Sequence, residues 1–204
     1  MLIDSIMIVG CKMTKDYYEK NSEKFIEETI NSDMSVQYLM FEKYLKTNDY
    51  ILDLGFGSGR DSLYFRKKYL VTSIDPVGSF VINAKKFGLT NVYQTSVLEM
   101  DFENHFNGIW ACATLLHVDK SDLNLAFKKC AKALKNDGIM YVSFKYGDFE
   151  GLRNGRYYLD LTETSILHFL NDVNLKMLEY SITSDVRPNR NDKWLNVILK
   201  KCKE

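Results

Sequence analysis

The chain has little proline and histidine, no excess of charge of either sign, and no long apolar run. Two prolines, Pro76 and Pro188, among 204 residues leave helices and strands free to run without a breaker. The four cysteines, Cys11, Cys112, Cys130 and Cys202, form no CxxC pair and no Cys/His cluster at zinc spacing, so neither a metal site nor a disulfide framework is expected. Reduced thiols fit a cytoplasmic protein. The apolar stretches fall far short of the roughly 20 residues of a bilayer span, so no membrane partner is expected. The opening MLIDSIMIVG holds Asp4 and lacks a basic start, so it is not expected to be a secretory signal. Twenty-seven basic residues against 27 acidic ones give no net charge and exclude a general polyanion binder. The balance holds by segment, at −3 for residues 1–50, +2 for 51–144 and +1 for 145–204. Nucleic acid is therefore not favoured as a partner. The sequence carries no signal for an oligomeric state.

What is present is ordinary globular composition, 46% apolar and 26% charged, in a length that suits one domain. Residues 1–12 are expected to be an N-terminal extension ahead of Met13. Residues 13–46 are expected to be a helical lid or cap, because Ile26, Ile30, Met34, Tyr38, Phe41 and Leu45 recur at spacings of three and four. Asp33 is placed to cap a second helix there. Residues 47–204 alternate strand and helix. The expected strands are 50–54, 70–74, 91–94, 108–112 and 139–144, separated by helices at 60–69, 77–87 and 122–134. That alternation predicts a Rossmann-like α/β domain with a parallel sheet and helices on both faces. After a helix at 162–170, strands at 176–183 and 194–199 follow one another with no helix between, so they pair antiparallel at one edge.

The first strand runs into Asp53-Leu54-Gly55-Phe56-Gly57-Ser58-Gly59, and a helix opens at Arg60. Strand, glycine loop and helix in that order give the loop meaning, because glycines allow a sharp turn and close backbone approach to a ligand. Asp75 ends the second strand twenty residues after Gly55, where a carboxylate can accept from both hydroxyls of a ribose. A dinucleotide fingerprint needs GxGxxG, but the sixth position is Arg60 counted from Gly55 and Ser62 counted from Gly57. The pattern is GxGxG instead.

These features together resemble class I S-adenosylmethionine-dependent methyltransferases over about residues 40–200. The resemblance implies seven strands in the order 3-2-1-4-5-7-6, with strand seven antiparallel. It implies that Gly55, Gly57 and Gly59 form the cofactor loop, that Asp53 lies beneath the cofactor amine, and that Asp75, followed by Pro76, holds the ribose. Ser96 stands where the family often has an acid for the adenine amine, with the Val97 N–H beside it. Ala111 and Ala113, after strand four, suit close approach to the methionine chain, and Tyr18 would sit near the sulfonium from a lid helix. Gly57-Ser58-Gly59-Arg60-Asp61-Ser62-Leu63-Tyr64 is similar to small stand-alone bacterial methyltransferases of the tellurite-resistance type.

The methyl acceptor is less marked. ACATLLHV after strand four lacks the Pro-Pro pair of enzymes that methylate exocyclic amines of DNA bases, and neither proline precedes a cysteine as cytosine C5 chemistry needs. His117, Tyr146, Arg153 and Arg156 are the candidate catalytic groups. The last three lie in an aromatic, glycine-hinged stretch following strand five, where open α/β sheets bind ligands. Arg187 and Arg190 form a second cluster between the last two strands. A small-molecule acceptor is expected. A methyltransferase acting on RNA or a protein side chain, and a non-catalytic cofactor-binding module, are the alternatives.

Overall fold

The computed structural model describes residues 9–188 and 190–202. The expected extension falls largely outside them. Helix α1 spans Val9–Thr29 and bends at Asn21, where the backbone leaves helical geometry (φ −121°, ψ 17°). Its inward positions, Thr14, Tyr18, Ser22, Phe25, Ile26 and Thr29, keep the three- and four-residue spacing of one helical face. A short break follows, and α2 spans Ser35–Glu42. The helix is capped at Met34 with no side-chain bond; Asp33, expected as the cap, lies one residue earlier, where its carboxylate accepts the Ser35 N–H at 2.9 Å as a local turn.

The sheet then alternates with helices: β1 (Tyr50–Leu54), α3 (Arg60–Phe65), β2 (Leu70–Asp75), α4 (Gly78–Lys86), β3 (Val92–Gln94), β4 (Phe106–Ala111), α5 (Leu123–Ala133) and β5 (Leu134–Lys145). β6 (Glu150–Arg153) and β7 (Arg156–Leu159) form a separate hairpin, and β8 (Leu175–Ser184) and β9 (Lys193–Lys201) close the chain. The seven-stranded sheet has the order β3-β2-β1-β4-β5-β9-β8. β1 to β5 run parallel, and β9 is antiparallel to both β5 and β8. This is the expected Rossmann-like topology, with the numbering shifted by the hairpin. Two details differ. The stretch after strand five was expected as a loop, but residues 150–159 pair in register from Glu150↔Leu159 to Arg153↔Arg156, turning at Asn154-Gly155. That is a favoured hairpin dipeptide, and both residues take positive φ. The expected helix at 162–170 is a 3-10 turn over Ser165–Leu170, with Thr162 Oγ1 accepting the Ser165 N–H.

Each sheet face carries its own apolar core. On one side α5 and β7 share a core with Leu52, Ile109, Met140, Val142 and Leu199. On the other, α2 and α3 bring Tyr38, Phe41 and Phe65 against Trp110 and Tyr141, whose rings stack at 3.9 Å. Gly108 in β4 permits this closeness, since a Cβ there would lie 2.7 Å from the Phe41 ring. No helix among the described residues is long and apolar enough to cross a membrane.

Candidate active site

A cavity of about 770 Å³ opens at the carboxyl ends of β1, β2, β4 and β5, beneath α1. This is where ligands sit in open α/β sheets. One end of it is built mostly from backbone. Gly55 and Gly57 turn through positive φ (70° and 51°), and both lack the side chain that would fill the space. A Cβ on Gly57 would come within 3.0 Å of Phe25, and one on Gly55 would run into Thr114. The buried Asp75 carboxylate accepts the Gly57 N–H at 3.0 Å and the Val77 N–H at 2.9 Å. It thereby ties the glycine loop to the entry of α4, and each oxygen keeps a lone pair for a ligand hydroxyl. Burial pushes Asp75 up to about 6, against the two N–H groups that favour its charge. A carboxylate desolvated to this degree is stabilised further by hydroxyl donors, so the site fits a ribose.

Below the loop lies a largely buried polar layer, whose Arg60 and Asp61 also line the cavity. Ser62 Oγ donates to Asp53 at 2.5 Å and lies 2.7 Å from Ser73 Oγ. Burial, with the charge of Asp61, pushes Asp53 well above the carboxylate range. Asp61 is opposite in behaviour. Burial would raise it, but the Arg60 fork at 2.7 and 2.9 Å, the Tyr38 hydroxyl and the Trp110 indole N–H hold it below its ordinary value. Removing one partner from such a buried ionic network costs about 3–5 kcal/mol.

Helix α1 is fastened across the cavity at two places. Glu19 accepts the Gly78 N–H at 2.6 Å and the Ser79 N–H at 3.1 Å, which caps α4, a helix with no cap of its own. Farther along, Thr14 Oγ1 accepts the Tyr157 N–H at 2.9 Å. The Tyr18 hydroxyl joins a directed chain. Arg156 Nη1 donates to it at 3.2 Å, and it lies 3.1 Å from His117 Nε2. His117 Nδ1 is 2.6 Å from the Tyr157 carbonyl, which can only accept, so the proton sits on Nδ1 and Nε2 receives the phenol proton. Burial first, then the positive charge of Arg156 and Lys145, lowers His117 to about 4, so the ring is neutral at pH 7.

The opposite end of the cavity is basic and built from side chains of α1, β5, β7 and the β8–β9 loop. Lys145 is paired with Asp192 at 2.7 Å, and Arg187 forks onto Asp185 at 2.9 and 2.6 Å. Arg156 and Arg190 line the same space. The Arg156 guanidinium carbon stands 4.7 Å from the Tyr17 ring centre and 5.3 Å from that of Tyr158.

Of the residues singled out from sequence, Tyr18, Gly55, Gly57, Asp75, Pro76, Ser96, Val97, Ala113, His117 and Arg156 line the cavity. Five lie elsewhere. Asp53 is beneath the loop, bonded to Ser62. Gly59 is the left-handed residue at the start of α3, where its φ of 80° turns the chain into the helix. Ala111 is fully buried among sheet residues, with the alternation of β4 turning Cys112 to the cavity in its place. Tyr146 follows β5 on the side facing β8, near Glu163 and Tyr180. Arg153 points back along its hairpin to Asp160 at 2.8 Å and stacks on Phe149 at 3.7 Å. Ser96 lines the cavity, but its hydroxyl already donates to Glu99 at 2.7 Å. Glu19 was missed altogether. Nothing local marks it, because the helix it caps lies 59 residues later. No group of three or more metal-ligating side chains is gathered among the described residues.

Residues 51–138 match the family model of a methyltransferase domain. No curated protein matches the chain. Among solved structures, the chain is similar to the 1,6-didemethyltoxoflavin-N1-methyltransferase of Burkholderia thailandensis, solved with 1,6-didemethyltoxoflavin and S-adenosylhomocysteine bound. The TM-score is 0.78 at 20% identity, over 94% of this chain and 88% of that one. A S-adenosylmethionine-dependent methyltransferase of Methanosarcina mazei gives a TM-score of 0.68 at 20% identity, over 80% of this chain and 97% of that one. The [4+2]-cyclase SpnF gives 0.72 at 14%, over 93% and 95%. Likeness at these identities carries the fold, a Rossmann-like methyltransferase fold that one neighbour uses for cyclisation. With the matched domain, these neighbours support S-adenosylmethionine as the cofactor and methyl transfer as the activity.

Proposed function

We propose that the chain is a S-adenosylmethionine-dependent methyltransferase acting on a small-molecule acceptor. The observation that carries this reading is the pairing of the GxGxG loop with a buried Asp75 in one cavity. When bound, the cofactor supplies a methyl group on a positively charged sulfur, already activated for in-line displacement. The chain's own part is to bind, align and exclude water. Gly55 and Gly57 give backbone approach, Asp75 accepts the ribose hydroxyls, and Val97 and Pro76 offer walls for the adenine. Residues 13–46 act as the lid, with Glu19 latching one side and Thr14 and Tyr18 the other.

The acceptor lies toward His117 and Arg156. With its imidazole near 4, His117 is a weak base at neutral pH. It accepts from Tyr18 and holds that phenol in place. The site therefore suits a nucleophile that arrives with a lone pair available, such as nitrogen, sulfur or a heavier chalcogen. Cys112, pushed up to about 12 by burial, is no nucleophile. A cavity of about 770 Å³ under a latched helix has room for a cofactor and a small second molecule. The tellurite-resistance-type motif also favours a small acceptor. In this fold, however, Arg60, Asp61 and Ser62 serve the buried polar layer and Tyr64 bonds Glu42, so the motif describes the loop's foundation.

The reading is tested by melting the protein with S-adenosylhomocysteine and by following homocysteine-containing product from S-adenosylmethionine against small acceptors and RNA. Saturation at 100 times Kd adds about 2.7 kcal/mol of stability. Turnover on RNA with a steep salt dependence would favour the macromolecular alternative instead. Binding without turnover on any acceptor would favour the non-catalytic module.

A further inference from the structure

The charged groups around the cavity are unevenly matched. Lys145 has Asp192, Arg187 has Asp185 and Arg60 has Asp61. Arg156 and Arg190 have no carboxylate partner among the described residues, and both line the cavity. Arg156 is the more informative. It is half-buried, and it spends Nη1 on the Tyr18 hydroxyl. Its Nε is closed off from solvent and meets no acceptor. The neighbouring phenols do not neutralise it, since burial raises both Tyr18 and Tyr158 and keeps them protonated. What remains without an acceptor is the Nε–Nη2 edge, two parallel donors on a full positive charge. That edge has the spacing of a carboxylate.

We propose that Arg156, with Arg190 at the rim, is the subsite for a carboxylate carried by the methyl acceptor. The acceptor is then a small acid whose charged group sits against the Arg156 edge while its nucleophile points toward the glycine-loop end. Tyr17 and Tyr158 flank the guanidinium at 4.7 and 5.3 Å, and Nε is closed off from solvent, so this edge must open for the acid to seat. The word "acceptor" rests on the methyl-transfer reading, but the anion subsite itself does not.

The experiment titrates benzoate, phenyl phosphate and benzamide into the protein saturated with S-adenosylhomocysteine. Calorimetry and the Arg156 Nε–H resonance are the readouts. Benzoate is expected to bind at least tenfold tighter than benzamide and to shift that resonance. Arg156→Gln should weaken benzoate at least tenfold, Arg156→Lys should lose most of the same affinity because the fork is gone, and Arg190→Gln should cost two- to fivefold. S-adenosylhomocysteine affinity should stay within twofold in all three variants. Equal binding of benzamide and benzoate would overturn the subsite. So would an Arg156→Gln variant that loses S-adenosylhomocysteine and keeps benzoate, which would give this arginine to the cofactor's own carboxylate. Phenyl phosphate tenfold tighter than benzoate would overturn the carboxylate assignment in favour of a phosphate. Failure of S-adenosylhomocysteine to bind would sink the methyltransferase reading alone, and benzoate titrated into the free protein would still decide the subsite.

Discussion

At the glycine-loop end of the cavity the ligand-facing groups are glycine backbone and one carboxylate that two backbone N–H groups hold. At the hairpin end they are long side chains from α1, β7 and the β8–β9 loop, held by each other. The first end depends on residues within 25 positions of one another. The second depends on contacts as distant as Tyr18 with Arg156, 138 residues apart. A backbone-built end admits one kind of ligand wherever its short motif recurs. A side-chain-built end can change its ligand by exchanging a few residues on a fixed frame. The two ends should therefore respond separately to mutation.

The largest effect is expected at Asp75. Asp75→Ala removes the acceptor for two hydroxyls and frees the Gly57 and Val77 N–H groups. Charge-assisted hydrogen bonds contribute about 1.5–3 kcal/mol each, so calorimetry should show S-adenosylhomocysteine affinity falling by roughly 100-fold or more. A comparable loss of affinity for an acid at the hairpin end of the empty protein would erase the separation between the ends.

Acidity should divide the ends next. Ligand hydroxyls need the ionised Asp75, so S-adenosylhomocysteine affinity should drop about tenfold per pH unit below 6 and level out in Asp75→Asn. Overall stability is a poorer probe, because two groups oppose each other. Asp75, raised from 3.8 to about 6, contributes stability present below 3.8 and lost as pH rises through 6. His117, lowered from 6.5 to about 4, contributes stability present above 6.5 and lost as pH falls through 4. An imidazole resonance for His117 titrating near 6.5 would contradict a latched hairpin end.

Glu19→Ala should remove the cap of α4 and cost about 0.5–2 kcal/mol, with faster amide exchange at Gly78 and Ser79 and little change at the hairpin. Unaltered exchange at those two amides would mean that the latch does not hold in solution. The smallest effects belong to Tyr146→Phe and Arg153→Lys. Both residues face away from the cavity, so each should leave kcat/KM within about threefold; a larger loss in turnover assays would return them to the site.

The two ends were unequally legible in the sequence for the same reason. The order of the sheet follows from alternating strands and helices, and Asp75 follows from its place at the end of β2, because local rules govern both. Asp33 was legible as a residue at the start of α2 because its bond to Ser35 is local, although the cap position itself falls on Met34. Arg153 and Arg156 are three residues apart and looked equivalent. Only the pairing of β6 with β7 turns Arg153 to Asp160 and Arg156 to Tyr18. Ala111 and Ala113 looked equivalent too, but the end of β4 falls between them, and Ala113 leaves the strand with φ at 51°. Glu19 had no readable signal, since its partners are amides made available by a helix elsewhere in the chain.

The central claim is that the glycine-loop end takes a nucleoside bearing an amino-acid chain and not a dinucleotide. Calorimetric titration of the unaltered chain at pH 8 with S-adenosylhomocysteine, and separately with NAD⁺, tests it directly. The expected result is one S-adenosylhomocysteine bound per chain and no heat from NAD⁺ at the same concentration. Tighter binding of NAD⁺, or no S-adenosylhomocysteine binding at saturating ligand, would contradict it.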